Sequence, residues 1–191
     1  VIRGLALAAL LAAPAAAQEG AFAAGSAAES WGLSGEENAR FTARVVDVLC
    51  ELTGDCPPDC GGGARQLGLV RAADGVLVIA AKNGQPLFTG AVEDLLPYCG
   101  ATVEVDGLLV GDDPANPAKV FQLQTIRAPG APGPVKAERW TQAWAARNPG
   151  AAAQEGPWFR NDPRIAALIA RNGYLGLGPE ADAAFLAEEG R

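Results

Sequence analysis

"TGAVEDLLPYCG", Thr89 to Gly100, interrupts a chain that otherwise alternates like strand on both sides of it. Thr89 or Gly90 can open a short helical turn, and Pro97 stops it. Three strand-like stretches come before this segment. "RFTARVVDVLCEL" sets Phe41, Ala43, Val45 and Asp47 on one face and Thr42, Arg44, Val46 and Val48 on the other. Neither face is wholly apolar, as happens when a strand bends between two sheets. "RQLGLVR" is shorter, and its internal Gly68 marks a bulge or a close approach. Val76–Ala81 lies between an Asp-Gly and an Asn-Gly turn, which predicts a hairpin with the strand before it.

Two more strands follow the interruption. In "TVEVDGLLV", Val103 and Val105 alternate with Glu104 and Asp106, and the alternation switches face at Gly107. In "KVFQLQTIR", Val120, Gln122, Gln124 and Ile126 oppose Phe121, Leu123 and Thr125. Three strands, a short helix and two strands in about 90 residues is the element order of a five-stranded OB-like Greek-key barrel. An open meander or a small sandwich is the alternative. The expected fold is therefore mainly β, a disulfide-stapled barrel over 36–127, with a helical C-terminal extension.

The flanks differ in character. Residues 1–17 place Arg3 before an apolar run, Leu5 to Ala13, then Pro14 and small residues. That is the order of a cleaved secretory signal, and the run is shorter than the ~20 residues a membrane span needs. Cleavage is expected after Ala17, giving a periplasmic or secreted protein. Residues 18–35 are rich in Ala, Gly, Ser and Glu and read as a flexible lead-in. Residues 128–135, "APGAPGPV", read as a Pro/Gly hinge.

Beyond the hinge, 136–191 turns helical, with two or three short helices predicted. Pro134 sits near the first helix start, and Trp140 and Trp144 share one helix face. Asp162 and Pro163 have the order of an N-cap and first turn, with Gly173 as the stop. Ile165, Leu168 and Ile169 are expected to form a buried stripe, and Phe185 and Leu186 to face inward from the last helix.

Composition excludes several function classes. The formal charge is −7, which disfavours nucleic acid and anionic membrane surfaces. The chain has no histidine, so triads, Cys-His dyads, the usual zinc hydrolase sites and CxxCH haem attachment are ruled out. The absence of methionine removes thioether copper sites. The serines are Ser26, Ser30 and Ser34, all in the lead-in. "CGGGAR" lacks the Lys-Ser/Thr of a phosphate loop. A non-enzymatic protein is expected, with no cofactor and no resident metal.

Cys50, Cys56, Cys60 and Cys99 are an even set in an exported chain, which predicts disulfides. Of the three possible pairings, Cys56–Cys60 with Cys50–Cys99 is preferred: the first closes the Pro-Pro loop and the second ties the first strand to the helix region. Structural zinc favours CxxC knuckles, which are absent. "CPPDC" resembles the CxxxC spacing of Sco-type copper chaperones. That resemblance implies copper delivery or disulfide exchange through Cys56 and Cys60. Those proteins add a distant histidine and a thioredoxin-like fold, and this chain has no histidine and places strands before helices.

Three further sets of residues carry side chains that can bind. Asp112, Asp113 and Asn116 form a turn that has calcium-ligating residue types but not the EF-hand pattern. Arg65, Arg71, Lys82 and Arg127 are candidates for a ligand-binding barrel face, for a small ligand or glycan, against the reading of a solvated rim. Trp140, Trp144, Trp158 and Phe159 are candidates for docking a periplasmic protein partner, because Trp is enriched at binding hot spots. Packing within the protein is the alternative for these four. The expected function is an exported accessory or binding protein whose helical arm docks a partner.

Overall fold

The computed structural model describes residues 21–32, 34–82, 90–111 and 119–189. The residues expected to form a signal segment, an Asn83-Gly84 turn and an Asp112–Asn116 turn lie outside the described residues.

The barrel is closed and five-stranded. It is built from β1 (Glu36–Asp47), β2 (Leu67–Arg71), β3 (Leu77–Ala81), β4 (Thr102–Val110) and β5 (Lys119–Arg127). β1 pairs antiparallel with β2 through Ala43–Asp47 and with β4 through Glu36–Arg44, so the long first strand bends between two neighbours. β2 pairs with β3, β4 pairs with β5, and a parallel β3–β5 pairing closes the ring. A parallel pair requires a crossover. Here the crossover carries α2 (Gly90–Leu95) and β4, which gives the OB-like order expected from the sequence. Inward alternation supplies the core: Ala39, Phe41, Ala43 and Val45 of β1 meet Leu67, Leu69, Val78, Val103, Val105, Phe121 and Leu123. Ala91, Val92 and Leu95 of α2 pack into the same cluster.

The face switch at Gly107 is a β-bulge. Asp106 pairs with Thr125 and Gly107 with Leu123, so Gln124 is left out of the β4 ladder. A Cβ at Gly107 would lie 2.1 Å from the Gln122 carbonyl oxygen, so only glycine lets the strands approach there. Alternation in β5 shifts accordingly: Phe121 and Leu123 point inward, and so does Ile126.

The lead-in is laid against the barrel. Phe22 stacks on Phe41, which stacks on Phe121, with centroid separations of 5.6 and 4.8 Å. The Arg40 N–H donates to the Phe22 carbonyl at 2.8 Å. Gln124, freed by the bulge, both accepts from the Glu29 N–H (2.9 Å) and donates to the Glu29 carbonyl (2.7 Å). Asp106 accepts from the Ser26 hydroxyl and the Ala27 N–H.

The Pro/Gly stretch does not release the chain. Val135–Lys136 form β6, a sixth strand on β5, where a helix start was expected, and α3 (Arg139–Arg147) begins after it. Ala137 is buried in the core and its N–H donates to the Gln124 carbonyl at 2.8 Å. The Arg139 N–H donates to the buried Asp94 carboxylate at 3.0 Å.

The cysteine pairing differs from the one expected. Cys50 joins Cys56 and Cys60 joins Cys99, with Cα separations of 4.5 and 5.9 Å. The reason is local. The first strand ends at Asp47, before Cys50. The Asp47 side chain accepts from the Leu49 and Cys50 N–H groups and starts α1 (Val48–Thr53), which ends at left-handed Gly54. That helical turn returns Cys50 to Cys56. Asp59, Cys60, Gly61 and Gly62 then form a left-handed turn, and Cys60 enters the core beside Cys99.

Two outcomes are expected. The Cys60–Cys99 bridge closes a loop of 39 residues and the Cys50–Cys56 bridge one of 6. Chain-entropy arguments assign them about 4 and about 2 kcal/mol. Replacing Cys60 and Cys99 with Ser should therefore lower the urea midpoint more than replacing Cys50 and Cys56, and peptide mapping of the oxidised protein should recover these two links. A chain ended after Ala128 should also melt well below one ended after Arg147. It leaves buried Asp94 without its N–H donor, a loss of ~1–3 kcal/mol.

Candidate functional site

Beyond the barrel, α3 is followed by α4 (Pro149–Ala152), α5 (Trp158–Asn161), α6 (Pro163–Asn172) and α7 (Pro179–Glu188). All four aromatic candidates meet in one stack. Trp158 lies at its centre, 4.4 Å from Trp140, 5.8 Å from Trp144 and 5.9 Å from Phe159 between ring centroids. Trp144 is buried, and its indole N–H donates to the Asp162 carboxylate at 2.6 Å. Phe159 reaches the surface.

Asp162 is the N-cap foreseen for α6, accepting from the Arg164 and Ile165 N–H groups, and the Arg164 guanidinium spans both its oxygens. The Arg164 guanidinium, with the Trp144 indole and these backbone donors, holds this buried carboxyl well below the usual carboxylate range. One carboxylate thus caps a helix and anchors the aromatic stack.

The apolar residues of α6 face the other way. Leu168 is 48% and Ile169 38% exposed while Ile165 is half-buried, so two of the three residues of the expected stripe lie at the surface. α6 packs against α5 and α7. Phe185 of α7 is likewise outward, and Asp182 is the residue α7 buries. The Asp182 carboxylate accepts from the Leu175 N–H (2.6 Å) and the Leu177 N–H (3.0 Å). The Gly178 N–H donates to the Asn172 carbonyl. These bonds fix the α6–α7 loop with Tyr174, Leu175 and Leu177 turned to solvent, Tyr174 at 76% exposure. The sequence reading missed this tip. An aspartate three residues into a helix and following a Gly-rich loop was the available signal.

The barrel cations separate into two kinds. Arg65 bonds the Asp55 carboxylate and backbone and lies 3.4 Å from Asp47. Arg71 is buried over the Phe22 ring at 4.3 Å and bonds Asp74 at 2.6 Å. Arg127 bonds Glu104 at 2.7 Å, a carboxylate shared with Arg40 at 2.6 Å. Lys82 makes no hydrogen bond or ion pair with a described residue and sits 5.7 Å from the Trp31 ring centroid. Cys56 and Cys60, the pair of the thiol reading, belong to different disulfides.

No known protein-family model matches the chain, and neither the curated proteins nor the solved structures contain a match.

The anchor at Asp162 sets an acid sensitivity. A carboxyl depressed in the folded state contributes stability fully above its unfolded value, near 3.9, and loses it as pH falls toward the folded value. Tryptophan-fluorescence melts should show the arm losing stability below about pH 4. Asp162→Asn should be less stable at neutral pH and lack that component. Trp144→Phe should cost ~1–3 kcal/mol by leaving a buried acceptor short of a donor.

Proposed function

We propose that the protein is an exported, non-enzymatic accessory protein whose helical arm docks a partner protein. The observation that carries this reading is the set of exposed apolar residues on α6, α7 and the loop between them, Leu168, Ile169, Tyr174, Leu175, Leu177 and Phe185. Apolar groups gathered on one surface are a feature of interaction sites, and Asp182 presents the loop part of this one in a fixed conformation. Preorganisation of that kind lowers the ordering cost of binding. In this reading the tryptophan stack is internal scaffold of the arm, with Phe159 its exposed member. Two disulfides fit an oxidising compartment. The thiol-exchange alternative has no Cys56–Cys60 bridge to work with, and the small-ligand alternative rests on Lys82.

A photo-crosslinking residue at Leu177 should trap one protein species in the native host, whereas the same residue at Glu37 of β1 should not. The trapped protein, purified, should bind the wild type and lose at least about tenfold in affinity to Leu177→Ser with Phe185→Ser, as expected when anchor residues are removed. The barrel's melting temperature should be unchanged. A concentration-dependent dimer abolished by the same substitutions would give the face to a second copy and overturn the proposal.

A further inference from the structure

Lys82 follows β3 at the barrel end where β3 runs beside β5, with Ala81 opposite Gln122. The residue keeps only 8% of its exposure. An ammonium carries three donors, and burial without acceptors is costly. Buried cations are accordingly paired or solvated as a rule. Lys82 nevertheless has no hydrogen-bond or ion-pair partner among the described residues. Asp94 and Glu138 act on it only through the longer-range field, and burial lowers its pKa despite them. An unsatisfied acceptor, Asp94 Oδ2, belongs to one of the carboxylates whose field reaches it.

Lys82 lines a cavity of about 290 Å³, together with Trp31, Glu29, Gln124, Lys136 and Glu138. The volume is at the small end of ligand sites, where an apolar wall with few polar groups is usual. Trp31 supplies that wall. It is placed by the clamp of Gln124 on Glu29 and by its own N–H donating to Glu36. The other cations weighed for the barrel face, Arg65, Arg71 and Arg127, are already bound to carboxylates.

We propose that this cavity binds a small monocarboxylate, with the anion on Lys82 and the aliphatic body against Trp31. The charge pattern selects a single negative charge. Lys82 is the buried cation of the lining, while Glu29 and Glu138 oppose Lys136 and repel polyanions, as does the net charge of −7. This site is independent of the docking face on α6–α7.

The test uses the full chain and sodium propionate, with sodium chloride at matched ionic strength and propionamide as the neutral isostere. The Trp31 indole N–H resonance, assigned by its loss in Trp31→Phe, should shift saturably with propionate and not with propionamide. Lys82→Met should weaken propionate binding by about tenfold or more, the worth of a charge-assisted hydrogen bond. If Lys82→Met does not fold, Trp31→Ala, monitored at the Gln124 side-chain amide, should show the same weakening. The proposal fails if propionate gives no saturable shift, if propionamide binds equally, or if Lys82→Met binds like the wild type. It also fails if the Lys82 environment responds to Asp94→Asn but not to propionate, which would make Lys82 one half of a water-bridged pair.

Discussion

The fold depends on how closely β4 and β5 approach at Gly107. A side chain there would drive its first carbon to 2.1 Å from the Gln122 carbonyl oxygen, so the bare backbone is a condition of the pairing. The bulge that accompanies this contact takes Gln124 out of the ladder. Gln124 then works on two sides. Its amide holds the Glu29 backbone as another strand would, and its carbonyl receives the N–H of Ala137. One irregular position therefore ties the lead-in and the arm to the same barrel wall and sets Trp31 over the Lys82 cavity.

Buried aspartates make the other joints. Asp47 turns β1 into α1, Asp94 receives the start of α3, Asp162 caps α6 beneath the tryptophan stack, and Asp182 holds the α6–α7 loop. Each accepts at least one backbone N–H at a place where two elements meet. A carboxylate hydrogen-bonded in this way satisfies donors that a helix start or a tight loop leaves without partners. The acidic composition is thus partly architectural, and a short, Ala-rich arm with little apolar volume keeps its shape through these bonds.

Element order was readable because strand alternation and turn residues are local signals. The bend in β1, the face switch at Gly107, the α2 interruption and the Asp162 cap all have local causes. The cysteine pairing failed for a local reason, and the other failures depended on partners distant in sequence. Cysteine pairing turned on the Asp47 cap moving Cys50 into a helix. The apolar stripe of α6 has a helical period whether or not something covers it, so Leu168 and Ile169 read as buried when they are exposed. The aromatic quartet was recognised as a set, but the pattern did not reveal that its members spend their faces on one another. Lys82 and Trp31 are 51 positions apart, and only the folded lead-in brings them together.

The parallel closure of β3 on β5 has a consequence for the order of events along the chain. Both disulfides lie ahead of Thr102, where β4 begins. A chain delivered N-terminus first therefore presents its complete set of thiols for oxidation while the ring is still open. Once joined, Cys60 and Cys99 hold the end of the α2 segment at the left-handed turn. Pairing of distant strands is the slow, entropically opposed part of assembling a β protein. A Cys60–Cys99 bridge formed at that stage would remove part of that opposition before the last two strands pair.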